Sequence, residues 1–189
     1  MWLVLAFIPS SLMLGVTTFV TTDIASVPLL WVLPVALYLG TFIIVFARRE
    51  IISKNTIMQM HGFGLIVLIA TTLVPAIPMI VLVALHMVIF FLSALVCHKE
   101  LADSKPSADK LTEFYLFISI GGALGGFFNA IIAPQFFIIP IEYVLALVAA
   151  AFVRHLTKAE PLFKNKIDIF IFGFIAAMSV AYFVLDGSK

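Results

Sequence analysis

Residues Leu111–Pro134 read LTEFYLFISIGGALGGFFNAIIAP. The stretch enters through Thr112, Glu113 and Tyr115, turns apolar across two overlapping glycine pairs, Gly121/Gly125 and Gly122/Gly126, and leaves through Asn129. At about 1.5 Å of rise per residue a helix of this length crosses a hydrocarbon layer roughly 30 Å thick, and Pro134 is the expected stop. Each glycine pair removes two side chains one turn apart, which lets a neighbouring helix approach closely. In lipid, such packing rather than hydrophobicity drives helix association. A packing seam at Gly121, Gly122, Gly125 and Gly126 is therefore the expectation. The alternative is a flexible point in a moving helix, since glycine is conformationally permissive.

The rest of the chain has the same character. Of its 189 residues, 63% are hydrophobic and 11% charged, with mean hydropathy +1.22. Soluble domains carry about 25% charged residues. The charges cluster between long apolar runs, the pattern of an all-α, polytopic bundle of transmembrane helices. An outer-membrane barrel would show short alternating segments instead. The net charge of +1 carries no signal for nucleic acid, and no nucleic-acid partner is expected. The lone Cys97 excludes an internal disulfide framework or thiolate cluster within the chain. Residues Met1–Val20 lack the basic start and small-residue cleavage pattern of a signal peptide, so the first helix is expected to begin at once.

Seven apolar segments are legible: Trp2–Val20, Pro28–Ala47, Thr56–Val74, Pro78–Cys97, Leu111–Ala133, Ile141–Val153 and Ile167–Leu185. Pro34 is expected to kink the second at most. If the segments alternate, loops 48–55, 98–110 and 154–166 face one side, and they hold 10 of the 11 Lys and Arg residues. The positive-inside rule makes that side cytoplasmic, with the N-terminus in and the C-terminus out. The chain reads as one transmembrane domain, residues 1–189, and the odd helix number fits a module of a larger protein. No internal repeat supports an inverted-repeat transporter.

Polar residues within this frame are candidates for chemistry. Asp23 and Glu142 fall on the side without basic residues, with Asn129 near the same face. Two carboxylates there suit a cationic solute, or else they are solvated or cap their helices. His86, near the middle of the fourth segment, is a functional candidate because charge at that depth is costly, or it bonds to a neighbouring helix as a neutral ring. Glu113 joins Asp23, His86, Asn129 and Glu142 as a candidate for solute binding or proton relay. His61 and Gln59 lie nearer the interface and carry little weight. Cys97, His98, Glu100 and Glu113 are metal-ligand types, but His98 and Glu100 point about 200° apart on a helix. That spacing argues against a metal site, and these residues read first as charges offsetting helix dipoles. No P-loop, GxSxG elbow, HExxH or glycine-rich loop after a strand is present, so no catalytic residue and no cofactor is expected.

Four strings together, PSSLMLGVTT, TTDIASVPLLWVLPVALYLGTF, CHKELADSKPSADKLTEFYLFISIGGALGGFFNAIIAP and IEYVLALV, resemble the membrane region of bacterial spermidine synthase-like integral-membrane proteins. The resemblance runs from Trp2 to about Arg154, and Cys97–Pro134 is its most specific part. It implies a multi-helix module in the bacterial inner membrane, sometimes likened to the major facilitator superfamily. In fuller members this module accompanies a soluble aminopropyltransferase-like domain. The chain has neither that domain's glycine-rich nucleotide loop nor its acidic polyamine-binding residues, so no catalytic residue carries over. The implied partners are the lipid bilayer and either other transmembrane helices or a synthase-like domain. The implied role is an anchor or partner bundle. A transport element for a small solute, such as a polyamine, is the alternative, and a metal-dependent intramembrane enzyme using His98, Glu100 and Glu113 ranks last.

Overall fold

The computed structural model describes residues 1–23, 31–71, 77–137 and 141–156, the side chains of residues 22 and 23 excepted. Among them the chain is all helical, without a strand. The helices are α1 (Trp2–Asp23), α2 (Val32–Val45), α3 (Lys54–Thr71) and α4 (Met79–Asp103). A 3₁₀ turn, Ala108–Lys110, leads into α5, Leu111–Phe127, which continues through a π-helical turn, Phe128–Ile132, and a last α turn, Ala133–Phe136. Helix α6 is Ile141–Leu156. Among the described residues, three spans are long and apolar enough to cross a membrane: Trp2–Thr21, Met79–Asp103 and Ala108–Phe136. The expected seventh segment, Ile167–Leu185, and all but the first three residues of loop 154–166 lie outside the described residues.

Three boundaries differ from expectation, each for a physical reason. Helix α4 runs past Cys97 to Asp103, because the polar turn there is held from two sides: His98 is buried, and Lys54 grips Glu100 and Asp103. Helix α5 does not stop at Pro134. The π turn closes with the Ala133 N–H donating to the Phe128 carbonyl, and Pro134 then falls in the first turn of the following α segment. A missing N–H is harmless at that position. Helix α6 extends to Leu156 and takes in Arg154, which is buried over Gly62 of α3 rather than exposed in a loop.

Paired residues give the helix directions. Leu3 and Phe7 meet Gly121 and Gly125, and Ser11 bonds Asn129, at a constant offset of 118, so α1 and α5 run the same way. Lys54 pairs with Asp103 and His61 with Ser93, so α3 opposes α4. Trp2 reaches the Ser104 carbonyl while Phe19 lies on His86, so α1 also opposes α4. His86 meets Tyr143, and Val96 shares a cluster with Val153, so α6 runs with α4. The loop from Phe46 to Ser53 returns the end of α2 directly to the start of α3. The directions therefore alternate along the chain. All seven described Lys and Arg residues belong to the end of the bundle that holds Trp2, Lys54, Asp103 and Leu111.

Helices α1 and α4 form the centre, with Leu12, Val16, Phe90 and Ala94 in one cluster that Leu147 and Ala150 of α6 complete. Helix α5 is the outlier: 17% of its membrane-length window is buried, against 56% for α1 and for α4.

The α1–α5 seam is set by missing side chains. A Cβ at Gly125 would stand 2.6 Å from the Phe7 carbonyl oxygen and 2.9 Å from the Ser10 Cβ, and one at Gly121 would press on the Leu3 carbonyl. Backbone atoms of a packed helix cannot swing aside as a flexible side chain can. Gly122 and Gly126 face away, with nothing within 4 Å of a Cβ at Gly122 and only Leu14 Cδ1, at 3.9 Å, near one at Gly126. Two of the four expected glycines thus lie on this seam. Gly125→Ala is expected to destabilise the detergent-solubilised protein by about 1–3 kcal/mol, the usual cost of overpacking. Gly40→Ala, where a Cβ meets nothing within 4 Å, should be neutral or stabilising by up to about 1 kcal/mol. Unfolding titrations of the two variants that proved alike would refute the seam.

Candidate functional site

The bundle interior contains polar side chains, and each belongs to a particular helix pair. At the end away from the basic residues, α1, α4 and α6 converge on His86. Its Nδ1 lies 2.9 Å from the Tyr143 hydroxyl, and the Phe19 ring covers it at 4.4 Å between centroids. Tyr143 packs against Gly15, where a Cβ would come within 3.0 Å of the Tyr143 Cβ. Glu142, the next residue back, sits in the first turn of α6 and is only 9% exposed. An anion there is favoured by the helix N-terminus. A phenol bonded to an imidazole can hand a proton across. Asp23 ends α1, and its side chain lies outside the described residues. Because α4 is longer than expected, His86 falls in its first third rather than at its middle.

Asn129 belongs to a different seam. It lies in the π turn, beside the midpoint of α1 rather than near an outer face. Its side-chain N–H₂ donates to Ser11 Oγ at 2.6 Å and to the Gly125 carbonyl at 3.0 Å. The carbonyl needs a donor, so this contact fixes which way the amide points. Ser10 Oγ donates to the Gly122 carbonyl at 2.8 Å on the same seam. The Asn129 Oδ1 atom is buried without a hydrogen-bond partner.

Nearer the basic end, His98 of α4 is buried against α2. Thr41 Oγ1 donates its one hydrogen to the Tyr38 carbonyl at 2.6 Å, so it accepts from His98 Nδ1–H at 2.7 Å. That assigns the tautomer and leaves His98 Nε2 as a buried acceptor with no hydrogen-bond partner. Phe42 lies over the imidazole at 3.8 Å and Tyr38 meets it edge-on at 5.2 Å. His61, expected to carry little weight, is fully buried in α3 with Nε2 3.0 Å from Ser93 Oγ. Its face of α3, with Ile57, Gly64 and Leu65, turns inward onto α4.

The charged residues at that end hold one another. Lys54 pairs with Glu100 and Asp103, and Lys99 pairs with Asp103 at 3.1 Å and Glu50 at 3.2 Å. Burial pulls the Lys54 ammonium pKa down, but the two carboxylates more than reverse this, so it stands above the usual lysine value. Glu113 is exposed in the first turn of α5. His98 facing α2, Glu100 facing Lys54 and Glu113 in solvent leave the three metal-ligand candidates apart. Among the described residues no group of three or more His, Cys, Asp or Glu is arranged to hold a metal ion.

Of the five solute-site candidates, His86 and Glu142 come to the same end of the bundle; Tyr143 bonds His86 and is Glu142's neighbour in sequence. Asn129 and Glu113 stand apart from them. The partners that pair the histidines and Asn129 (Ser11, Thr41, Ser93 and Tyr143) were not legible as such, because one hydroxyl in an apolar run is an ordinary lipid-tolerant residue. The available signal was helical phase: His61 and Gly64 lie one turn apart on the face that meets α4. No protein-family model, curated protein or solved structure matches the chain.

The Thr41–His98 contact has a measurable weight. Thr41→Val leaves the buried His98 Nδ1–H without an acceptor and should cost about 1–3 kcal/mol. Combining it with His98→Phe should recover part of that loss, giving a coupling of about 0.5–3 kcal/mol in a double-mutant cycle. Strict additivity would show that the hydrogen bond does not hold α2 to α4.

Proposed function

We propose that this chain is a seven-helix module of a bacterial inner membrane, N-terminus cytoplasmic and C-terminus outside, belonging to a spermidine synthase-like protein. Its task is to anchor, or partner with, a synthase-like domain carried elsewhere. The observation that carries the reading is how the interior polar groups are used. Ser10–Gly122, Ser11–Asn129, Thr41–His98, His61–Ser93 and His86–Tyr143 each join two different helices. Polar pairs spread over four helix seams, two of them on α1–α5, suit a bundle built to hold together in lipid, where interhelical hydrogen bonds and close packing replace the hydrophobic drive. The alternating directions and the single basic end support the orientation under the positive-inside rule.

Two measurements test this reading. A reporter active only in the cytoplasm should work when fused after Lys105 and fail when fused after Lys189. The reverse result, or activity at both sites, would overturn the topology. Isolated from its native membrane, the chain should be continuous with, or co-purify with, a domain bearing a glycine-rich nucleotide loop. A preparation containing neither would overturn the anchoring role.

The His86–Tyr143 pair beside the buried Glu142 favours a second reading, a transport element for a small organic cation such as a polyamine. Proteoliposomes should then take up labelled polyamine saturably, and Glu142→Gln should reduce the uptake at least about tenfold, as loss of a buried charged partner does in binding. Absence of saturable uptake in the unaltered protein would exclude this second reading.

A further inference from the structure

We propose that the α2–α3 loop seats an anionic phospholipid of the cytoplasmic leaflet, with Arg48 and Arg49 on its phosphate and Ile51 among its acyl chains. The proposal rests on the membrane reading above and adds to it a lipid class and the residues that select it. The starting point is how the cations at the basic end are used. Lys54 is held by Glu100 and Asp103, and Lys99 by Glu50 and Asp103. Arg48 and Arg49 are exposed, and among the described residues no carboxylate pairs with either. In the neighbouring network two lysines face three carboxylates, so that network is one charge negative by itself. The arginines turn the local balance one positive, and the whole surplus is theirs.

The loop holds these arginines in place. At its start the Phe46 N–H donates to the Phe42 carbonyl at 2.9 Å, which extends the last turn of α2. In the middle Glu50 is tied to Lys99 of α4 at 3.2 Å. At its end Ser53 Oγ accepts from the Thr56 N–H at 3.2 Å, in the first turn of α3. A loop fixed at these three points presents two adjacent guanidinium groups without having to order its backbone on binding, which lowers the entropic cost of capture. Guanidinium suits phosphate because its planar fork donates two parallel hydrogen bonds to two oxygens.

Apolar companions choose a lipid over free phosphate. Ile51 is 60% exposed in the loop itself, and Ile43, in the last turn of α2, is 72% exposed. A cavity of about 100 Å³ lies beside them, walled by Ile44, Ile51, Ile52 and Ile57 together with Glu50 and Lys99. The hold of a surface segment on a membrane grows with the apolar area it buries and with its attraction to anionic lipids, and this loop offers both side by side. The α4–α5 connection at the same end does not. It has two exposed lysines, Lys105 and Lys110, but residues 104–110 include no large apolar side chain.

Lipid binding to the full chain in detergent tests the proposal, read by native mass spectrometry as phosphatidylglycerol or phosphatidylcholine is titrated in. Phosphatidylglycerol should bind the more tightly. Arg48→Gln with Arg49→Gln should weaken its binding about tenfold or more, since each basic residue at an anionic surface contributes roughly a factor of five. Either substitution alone should weaken it about fivefold, which guards against misfolding of the double variant. Lys105→Gln with Lys110→Gln removes the same charge from the same end and should leave the affinity within about twofold, being outside the site. Ile51→Ser should cost about fourfold, the weight of one buried methylene.

Loss of phosphatidylglycerol from the arginine variants but not from the lysine variant supports the proposal. Equal loss from both doubles, or equal affinity of the unaltered protein for the two lipids, overturns it in favour of unspecific charge attraction. Displacement of phosphatidylglycerol by millimolar inorganic phosphate overturns it in favour of a free anion, and so does an Ile51→Ser variant that binds as the unaltered protein does. A reporter fused after Lys105 separates the levels. If it works in the cytoplasm while the two doubles behave alike, the lipid site alone is refuted. If it fails there, the orientation is refuted and the cytoplasmic leaflet with it.

Discussion

The bundle depends on how closely α1 and α5 approach each other. Where Gly121 and Gly125 lack side chains, the carbonyls of Leu3 and Phe7 move into the space that a Cβ would occupy. At that separation Ser10 reaches the Gly122 carbonyl and Asn129 reaches Ser11, so the polar bonds of the seam exist only because the glycines admit them. The seam also sets the rotation of α1. With one face committed to α5, the opposite faces carry Leu12 and Val16 into the cluster shared with α4 and α6. Tyr143 then settles on Gly15, where a larger residue would hold α6 away from α1.

Around that seam the polar side chains act as local fasteners. His61, His86 and His98 are each held through one ring nitrogen by a hydroxyl of another helix, Ser93, Tyr143 and Thr41 respectively. Neutral imidazole suits this role because it presents a donor and an acceptor without the cost of burying charge. The described lysines and arginines stay at the basic end, where Lys54 and Lys99 tie the start of α3 and the α2–α3 loop to the end of α4. Surface ion pairs of this kind individually contribute about 0–1 kcal/mol, so they set the relative position of those elements more than they add stability.

Much of the architecture was legible because membrane helices announce themselves through apolar length, and six of the seven expected segments are helices. The boundaries were harder. Cys97 looked like an end because His98, Lys99 and Glu100 follow it, yet those residues find partners across the bundle that composition does not display. Pro134 looked like a stop because a proline inside a regular helix removes a donor, and nothing in the sequence signals the π turn that moves it into a first turn. The candidate site was legible in residue type and not in grouping. His86 and Glu142 stood out as ionisable groups in apolar runs, while Tyr143, which bonds His86, looked like one more aromatic among many. Distance from the loop says nothing of the burial of His61, which comes from the face it shares with Gly64.

The π turn of α5 has a consequence for lineage. A turn closed by an i to i+5 bond contains one residue more than an α turn, so it is what a helix looks like after absorbing a single-residue insertion without losing its register upstream. Deleting one residue from Phe128–Ile132 would restore continuous α geometry and swing everything beyond, Gln135 and Phe136 included, by about 100° around the axis. The glycine seam before the turn would be untouched. The two parts of one helix are therefore constrained differently: the first is bound to α1 by missing side chains, while the exposed Gln135 and Phe136 beyond the turn are re-aimed by a change in length rather than a change in residue.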